Sequence, residues 1–189
     1  MRARLVSTPA LGFTLTAFLV AGCGSSGSSS SGELAPNGSL NDGVPAASPA
    51  AAPPSGIPPK QLYKTVLDRY RAYQAAYKKA YETNNAAELP SVALDPLLSQ
   101  VTKDVESTRA KGEIWRFTNT FNPRVYARAK DSTKIYVIDC VRTLAAYRFS
   151  ARTGKRIDGG PGSAYVYRAT VQYDSGAWKV AATVRDKPC

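Results

Sequence analysis

The clearest strand in the sequence is Lys134-Ile135-Tyr136-Val137-Ile138-Asp139-Cys140-Val141. Successive side chains of a strand point to opposite faces of a sheet, so odd-numbered and even-numbered residues form two separate faces. Asp139 therefore shares a mainly apolar face with Ile135 and Val137. The same period of two continues on both sides of this stretch, and it predicts a sheet.

The strands predicted around this one occupy most of the second half of the chain. They cover residues 114–121, 124–129, 144–150, 164–173 and 178–184. Asn122-Pro123 either separates two strands or bends one long strand. A turn-rich stretch covers residues 151–162, and Asp174-Ser175-Gly176 is a hairpin signal between the last two strands.

Two helices are predicted before the strands. Apolar residues recur at intervals of three and four from about Lys60 to Asn84-Asn85, and again in the segment that ends at Lys111-Gly112. Pro90 and Pro96 break the chain between them into a short turn and a kinked entry. Helices followed by a run of antiparallel strands predict an α+β fold.

Five tyrosines line the first predicted helix. Tyr63, Tyr70 and Tyr77 are seven residues apart, which places them on one side of the helix. One interpretation is the aromatic wall of a ligand pocket, with Tyr70 and Tyr77 as candidate pocket residues. The other is packing of the rings on the sheet, with each hydroxyl bonded to water or backbone at the rim.

A signal of another kind lies near the start of the chain, in Leu19-Val20-Ala21-Gly22-Cys23. Residues 1–22 have a basic start, an apolar run too short to span a bilayer, and small residues before the cysteine, as in a signal peptide. The stretch resembles a bacterial lipoprotein signal, which implies cleavage before Cys23 and a lipid on its thiol. A plain secretory signal with a chance cysteine, or an uncleaved anchor, is the alternative.

Residues 23–59 are predicted to be the acylated cysteine and a disordered tether, and residues 60–189 one folded domain. The tether is rich in Gly, Ser, Ala and Pro and contains no aromatic residue, so it buries too little apolar surface to fold. It gives the domain a reach of roughly 30 to 40 Å. The expected location is the extracytoplasmic face of the cell membrane.

Two cysteines remain if Cys23 is acylated. Cys140 and Cys189 would then lie in a compartment where disulfides persist, and their even number predicts a bridge. The alternative is one buried free thiol and one frayed terminal cysteine.

The composition excludes several classes of function. The chain of 189 residues has a formal charge of +11 and no histidine, and residues 60–189 hold 23 basic and 12 acidic side chains. This balance favours anionic neighbours, while nucleic acid is not an expected partner of an exported chain. Without histidine the commonest proton-transfer group and metal ligand is missing. No metal site, cofactor motif or serine triad is found, so none is expected.

Three local features together suggest a family. They are Asp139-Cys140 inside a strand, the turn Thr153-Gly154 followed by Asp158-Gly159-Gly160-Pro161-Gly162, and the closing strand Gly176-Ala177-Trp178-Lys179-Val180. With the order of helices and strands, they make residues 60–185 similar to the NTF2-like, cone-shaped α+β roll of exported actinobacterial lipoproteins. The resemblance implies N-terminal helices packed on a curved antiparallel sheet. It implies no single activity, because the fold includes enzymes, transport factors and binding modules.

The first functional hypothesis is a non-catalytic binding or accessory module of the cell envelope, which takes a partner protein, an envelope component or an apolar ligand. The second is an isomerase or dehydratase-like enzyme with Asp139 as its base, since burial would raise the pKa of this carboxyl. A hydroxyl donor would then come from another element, such as Tyr70 or Tyr77. The structural alternative for Asp139 is a hydrogen bond from a neighbouring backbone amide or arginine.

A third hypothesis makes the basic residues a surface for anionic lipid or wall polymer. The clusters concerned are Lys78-Lys79, Arg124/Arg128/Lys130 and Arg152/Lys155/Arg156. The alternative is that these charges only keep the surface solvated.

Overall fold

The computed structural model describes residues 52, 53 and 55–189. The predicted signal peptide, Cys23 and most of the tether lie outside these residues. Within them, two α-helices pack against one curved, six-stranded antiparallel sheet. The predicted fold class is therefore confirmed, and the arrangement is the one implied by the resemblance to the NTF2-like roll.

The two helices begin and end close to where the periodicity places them. Helix α1 runs over Pro59–Thr83 and helix α2 over Leu97–Ala110, with a 3₁₀ turn at Leu89–Ser91 between them. Proline opens α1, where its missing N–H costs nothing because the first amides of a helix have no partner within it. Asn84 ends α1 in the left-handed conformation, with its N–H donating to the carbonyl of Ala80.

The six strands follow in chain order. They are β1 (Glu113–Thr120), β2 (Arg124–Arg128), β3 (Lys134–Ser150), β4 (Arg156–Gly160), β5 (Ala164–Asp174) and β6 (Ala177–Pro188). Ser175 and Gly176 both have positive φ, as a two-residue hairpin between β5 and β6 requires. This hairpin agrees with the sequence prediction.

Strand β3 is the centre of the sheet. Along one of its edges lie β2 and then β1, and along the other lie β5 and then β4, while β6 pairs with the outer edge of β5. The break between β1 and β2 falls at Phe121, Asn122 and Pro123, so these are two strands that share one edge of β3.

One predicted boundary was wrong. Residues 134–141 and 144–150 were predicted as two strands, but they form the single strand β3. Thr118 pairs with Ala145 and Asn119 with Thr143, so Leu144 is an extra residue in the ladder. This β-bulge lets the strand continue through a break in the alternation of apolar side chains. The short strand β4 is a second difference, because it lies in the stretch predicted as turns.

The core fills the space between the helices and one face of the sheet. Val66 and Tyr70 of α1 meet Ile135 of β3, Val171 of β5 and Val180 of β6, and all five are fully buried. Burying one aliphatic side chain of this size stabilises a fold by about 1.5–3 kcal/mol. The opposite face of the sheet carries no helix among the described residues, and we call it the outer face.

The predicted disulfide is present. Cys140 lies on the outer face of β3 and is bonded to Cys189, with 6.0 Å between their Cα atoms. The backbone N–H of Cys189 also donates to the carbonyl oxygen of Ala164. The end of the chain is thus fixed against the middle of the sheet.

Candidate functional site

A cavity of about 640 Å³ opens between the two helices and the face of the sheet that they cover. This volume falls within the range of roughly 300–1,000 Å³ that is usual for small-molecule sites. We call it the concave cavity. Its walls are formed by Tyr73, Gln74, Tyr77 and Tyr81 of α1, Leu97, Gln100, Val101, Asp104 and Thr108 of α2, Lys111, Glu113, Trp115, Phe117 and Asn119 of the segment leading into and along β1, Val141, Thr143, Ala146 and Arg148 of β3, Tyr167 of β5 and Thr183 of β6.

Aromatic rings form one wall of the concave cavity. The ring centroid of Tyr77 lies 4.8 Å from that of Tyr81 and 5.8 Å from that of Phe117, and all three rings are tilted against each other. These distances and angles are favourable for aromatic pairs, so the cluster holds its shape without a ligand. The hydroxyl of Tyr81 donates to the carboxylate of Asp104 at the exposed rim.

The hydroxyls of three tyrosines of α1 in the cavity wall stay neutral and able to donate. Burial raises the pKa of Tyr73, Tyr77 and Tyr81 above the ordinary value of 10.0. In Tyr77 a hydrogen bond with Tyr81 partly opposes the effect of burial on the pKa. A buried phenolate is unfavourable because the charged form loses its hydration.

The polar part of the wall centres on Asn119. This residue lies directly opposite Thr143 in the β1–β3 ladder, next to the bulge at Leu144. The side-chain oxygen of Asn119 is buried and accepts no hydrogen bond within the described chain. Leaving such an oxygen unpaired costs about 1–3 kcal/mol, and a ligand that donates to it would recover that energy.

Arg148 also lines the cavity, but its guanidinium is already paired with two carboxylates. Its Nε donates to Asp158 at 2.7 Å, its Nη1 donates to Glu113 at 3.2 Å, and its guanidinium lies 5.6 Å from the ring of Trp115. The hydrogen bond with Asp158 raises the pKa of Arg148 and lowers that of Asp158. The arginine therefore braces β1, β3 and β4 and is not free to hold an anion.

Asp139 lies away from this cavity and is buried to 1% exposure. One carboxylate oxygen accepts the hydroxyl of Tyr70 at 3.0 Å, and the other accepts the backbone N–H of Asn122 at 2.6 Å. Burial raises the pKa of Asp139, and the two hydrogen bonds partly oppose that rise. Asn122 lies in the bend between β1 and β2, where its backbone N–H has no partner in a neighbouring strand. The carboxylate of Asp139 accepts the hydrogen bond of this N–H instead.

The candidate residues from the sequence are thus divided between two places. Tyr77 lines the concave cavity, whereas Tyr70 is fully buried beside Asp139 and does not reach the cavity. Tyr77 therefore lies in a cavity wall, as the pocket interpretation requires, whereas the ring of Tyr70 packs in the core and its hydroxyl is bonded to the side chain of Asp139 rather than to water or backbone at the rim. Tyr63 also packs against the core.

Sequence reasoning missed most of the cavity residues. The alternation Trp115, Phe117, Asn119 was a usable signal, since it places three large side chains on one face of β1. Asp104 could also have been considered from the sequence. It follows Val101, a residue of the buried stripe of α2, by three positions and so lies beside that stripe. What the sequence does not show is which of these faces meet across the fold.

The outer face carries arginines and aromatic rings. The guanidinium of Arg116 lies 4.7 Å from the ring centroid of Phe149, and that of Arg156 lies 5.2 Å from the ring of Tyr147. Both arginines are exposed, as is Arg142 on the same face. In the part of the chain that the structure covers, none of the three is in an ion pair.

The three predicted basic clusters differ in whether their charges are paired with acidic side chains. Lys78 pairs with Glu82 and Lys79 with Glu88, so this cluster is largely neutralised. Arg152 and Lys155 are exposed in the turn before β4, close in sequence to Arg156. The exposed residues Arg124, Arg128 and Lys130 lie on and just after β2.

No protein-family model and no curated protein sequence matches the chain. Among solved structures, the intermembrane space region of the chloroplast protein ARC6 is similar over 66% of this chain and 96% of that chain, with 17% identity and a TM-score of 0.55. The protein Aln2 from a Streptomyces species covers 69% of this chain and 93% of its own, with 16% identity and a TM-score of 0.44. A protein with a cystatin-like fold from Caulobacter vibrioides covers 65% and 91%, with 13% identity and a TM-score of 0.38. At 17% identity the likeness to the ARC6 region concerns the fold alone.

Within residues 52, 53 and 55–189, neither helix is long and apolar enough to cross a membrane. Across residues 52–189, apart from those not described, no group of three or more histidine, cysteine, aspartate or glutamate side chains is arranged to hold a metal ion.

Proposed function

We propose that the protein is a lipid-anchored, extracytoplasmic binding module of the cell envelope, with the concave cavity as its ligand site and no catalytic role. The observation that carries the proposal is the cavity itself, a space of about 640 Å³ with six aromatic residues in its walls. Such a space between helices and sheet suits a small ligand with an apolar body and a few polar groups.

The location rests on two independent features. The stretch Val20-Ala21-Gly22-Cys23 supports lipid attachment at Cys23. The bridge between Cys140 and Cys189 supports an oxidising compartment, because cytosolic proteins rarely keep structural disulfides.

The hydrogen bonds of Asp139 favour binding over catalysis. A general base has to reach a proton of the substrate, and it needs a free lone pair directed into the site. Both oxygens of Asp139 already accept hydrogen bonds, and its carboxylate is buried beneath α1 rather than in the cavity wall. This supports a structural role, in which the carboxylate fixes the bend between β1 and β2.

Native mass spectrometry of full-length protein extracted from its own membrane tests the proposal. We expect the native mass to exceed the denatured, non-reduced mass by that of a non-covalent ligand, while the denatured mass carries the acyl groups on Cys23. Trp115→Ala, which opens the cavity wall, should lose the ligand mass, whereas Lys103→Ala on the exposed side of α2 should keep it. Equal native and denatured masses in repeated extractions would count against a ligand-binding role.

A second candidate function involves the outer face. Three exposed arginines form no ion pair with the described residues, and two of them lie over aromatic rings, which favours contact with anionic lipid headgroups. Each cation near an anionic membrane surface adds about 1 kcal/mol of attraction. On this proposal the tethered domain lies with its outer face on its own membrane, which leaves the opposite, helix-covered side accessible.

A further inference from the structure

We propose that the ligand of the concave cavity is a neutral, polyhydroxylated molecule with an apolar face, namely a pyranose sugar unit. This inference rests on the proposed binding function and names the chemistry that the cavity recognises. Three observations support it: the arrangement of the rings, the hydrogen-bond acceptors between them, and the absence of a free charged group deep in the cavity.

The rings provide surfaces for the apolar face of a sugar. Tyr77, Tyr81 and Phe117 form a cluster with centroid distances between 4.8 and 6.2 Å, and Trp115 stands beside them on the same face of β1 as Phe117. The faces of aromatic rings carry partial negative charge. The C–H groups on one side of a pyranose ring carry partial positive charge and pack well against such a face.

Two of the polar groups between the rings are oxygens that need a donor. The side-chain oxygen of Asn119 is buried without a partner. The amide nitrogen of Gln74 donates to the hydroxyl of Tyr70 at 2.9 Å, which leaves its carbonyl oxygen for another donor. A ligand with several hydroxyl groups supplies donors to both oxygens, and this satisfies the buried acceptor of Asn119.

The charged side chains Arg148 and Glu113 of the cavity wall are paired with each other, so they do not select an ionic ligand. Arg148 is engaged by Glu113 and Asp158, so it offers no free cation to a phosphate or carboxylate group. The folded domain has 23 basic and 12 acidic residues, and its overall field repels cationic ligands. Lys111 and Asp104 are exposed and stand at the rim with opposite charges.

The test uses the full-length protein in phospholipid nanodiscs and follows tryptophan fluorescence, because Trp115 lines the cavity while Trp178 is buried in the core. The first probe is cellobiose, whose equatorial hydroxyls leave apolar ring faces free. The second is permethylated cellobiose, which keeps those faces but has no hydroxyl donor. The third is benzyltrimethylammonium, an aromatic cation.

We expect a saturable fluorescence change with cellobiose and a much weaker one with the other two probes. Asn119→Leu should raise the dissociation constant for cellobiose roughly two- to tenfold, the effect of one hydrogen bond. Gln172→Leu is the matched control, because Gln172 follows the buried Val171 and lies on the outer face, so the constant should stay unchanged.

Two kinds of result would overturn the inference, and they separate it from the proposed function. If cellobiose fails while permethylated cellobiose or benzyltrimethylammonium binds, or if Asn119→Leu behaves like Gln172→Leu, the cavity binds a ligand of another class. If no probe binds and native mass spectrometry shows no ligand, the binding function fails as well.

Discussion

At the scale of single residues, the buried pair of Asp139 and Tyr70 makes the stability of the domain depend on pH. Burial raises the pKa of Asp139 above its ordinary value of 3.8. A carboxyl whose pKa is higher in the folded state stabilises the fold fully below 3.8, and this contribution is lost as the pH rises through the folded-state pKa. The two hydrogen bonds to the carboxylate partly oppose this rise in its pKa.

Asp139→Asn should therefore change the pH dependence of stability. We expect the free energy of unfolding of the native protein, relative to this variant, to be highest in acid and to decrease as the pH rises above 3.8. Urea unfolding from about pH 3 to pH 7 measures the difference. A difference that stays constant over this range would mean that burial does not raise the pKa of Asp139.

Tyr70→Phe gives a second, sharper result. The hydrogen bond from Tyr70 lowers the pKa of Asp139, so its loss should raise that pKa further. The loss of stability should then extend to higher pH, and the buried oxygen left without its hydrogen bond should itself cost about 1–3 kcal/mol. Tyr63→Phe, at a partly buried tyrosine of the same helix, serves as the control and should leave the pH profile unchanged.

At the scale of elements, the disulfide joins the centre of β3 to the end of β6. It closes a separation of 49 residues. Cross-links of this length stabilise a fold by about 4 kcal/mol, mainly by restricting the unfolded chain.

Replacing both cysteines, as Cys140→Ser with Cys189→Ser, should lower the free energy of unfolding by about that amount. Urea unfolding of the full chain measures it, and the reduced native protein should match the double variant. If reduction leaves the unfolding midpoint unchanged, the bridge contributes nothing to stability.

The elements also show which parts of the structure the sequence could predict. The helices and the β5–β6 hairpin were predictable because they depend on local periodicity and turn residues. The bulge at Leu144 was not, since it shows only in the pairing of β3 with β1. After the bulge the side chains facing the helices change from odd to even numbers, which brings Ala146 and Arg148 to the cavity. The sequence alone does not show this switch, because the alternation of apolar and polar residues does not mark where the extra residue of a bulge lies.

The candidate site was less predictable than the fold for a related reason. Tyr77 could be proposed from its spacing on α1, but Trp115, Asn119 and Asp104 join it only through long-range packing. Asp139 was a reasonable candidate, because an acid on an apolar strand face can be a raised-pKa base or a structural acceptor. Which of these roles applies depends on Tyr70 and Asn122, which are 69 and 17 residues away.

A further prediction concerns the binding of the outer face to anionic lipid, to which several strands contribute. Replacing Arg116, Arg142 and Arg156 together by glutamine removes three positive charges from β1, β3 and β4. Binding of the non-acylated full chain to vesicles with anionic lipid should fall, with a loss of up to about 3 kcal/mol. Co-sedimentation with anionic and with neutral vesicles measures it.

The control for this prediction is a triple variant on the helices. Arg69, Lys103 and Arg109 are exposed on α1 and α2, so replacing them by glutamine removes the same charge from the opposite side. If both triple variants lose vesicle binding equally, net charge rather than the outer face attracts the domain. If neither loses it, the proposal of a lipid-facing sheet is wrong.

At the scale of the whole molecule, the proposed membrane attachment has two contributions, the lipid on Cys23 and the basic outer face. On our proposal the lipid on Cys23 is the main anchor, and the outer face adds a weaker, salt-sensitive attraction. Stable anchoring needs more than one acyl chain or an acyl chain with a basic patch, and the proposed arrangement supplies both. The two contributions should respond differently to ionic strength.

Cys23→Ser in the full chain should therefore release the protein from the membrane fraction after a wash in about 1 M salt, where charges are screened beyond roughly 3 Å. At low salt part of this variant should stay bound through the outer face, and adding the Arg116, Arg142 and Arg156 replacements should release that part as well. Cys189→Ser, which changes another cysteine but not the proposed lipid site, should remain bound in both conditions. Immunoblotting of separated membrane and soluble fractions measures these outcomes. Retention of Cys23→Ser after the salt wash would show that something other than this lipid holds the chain to the membrane.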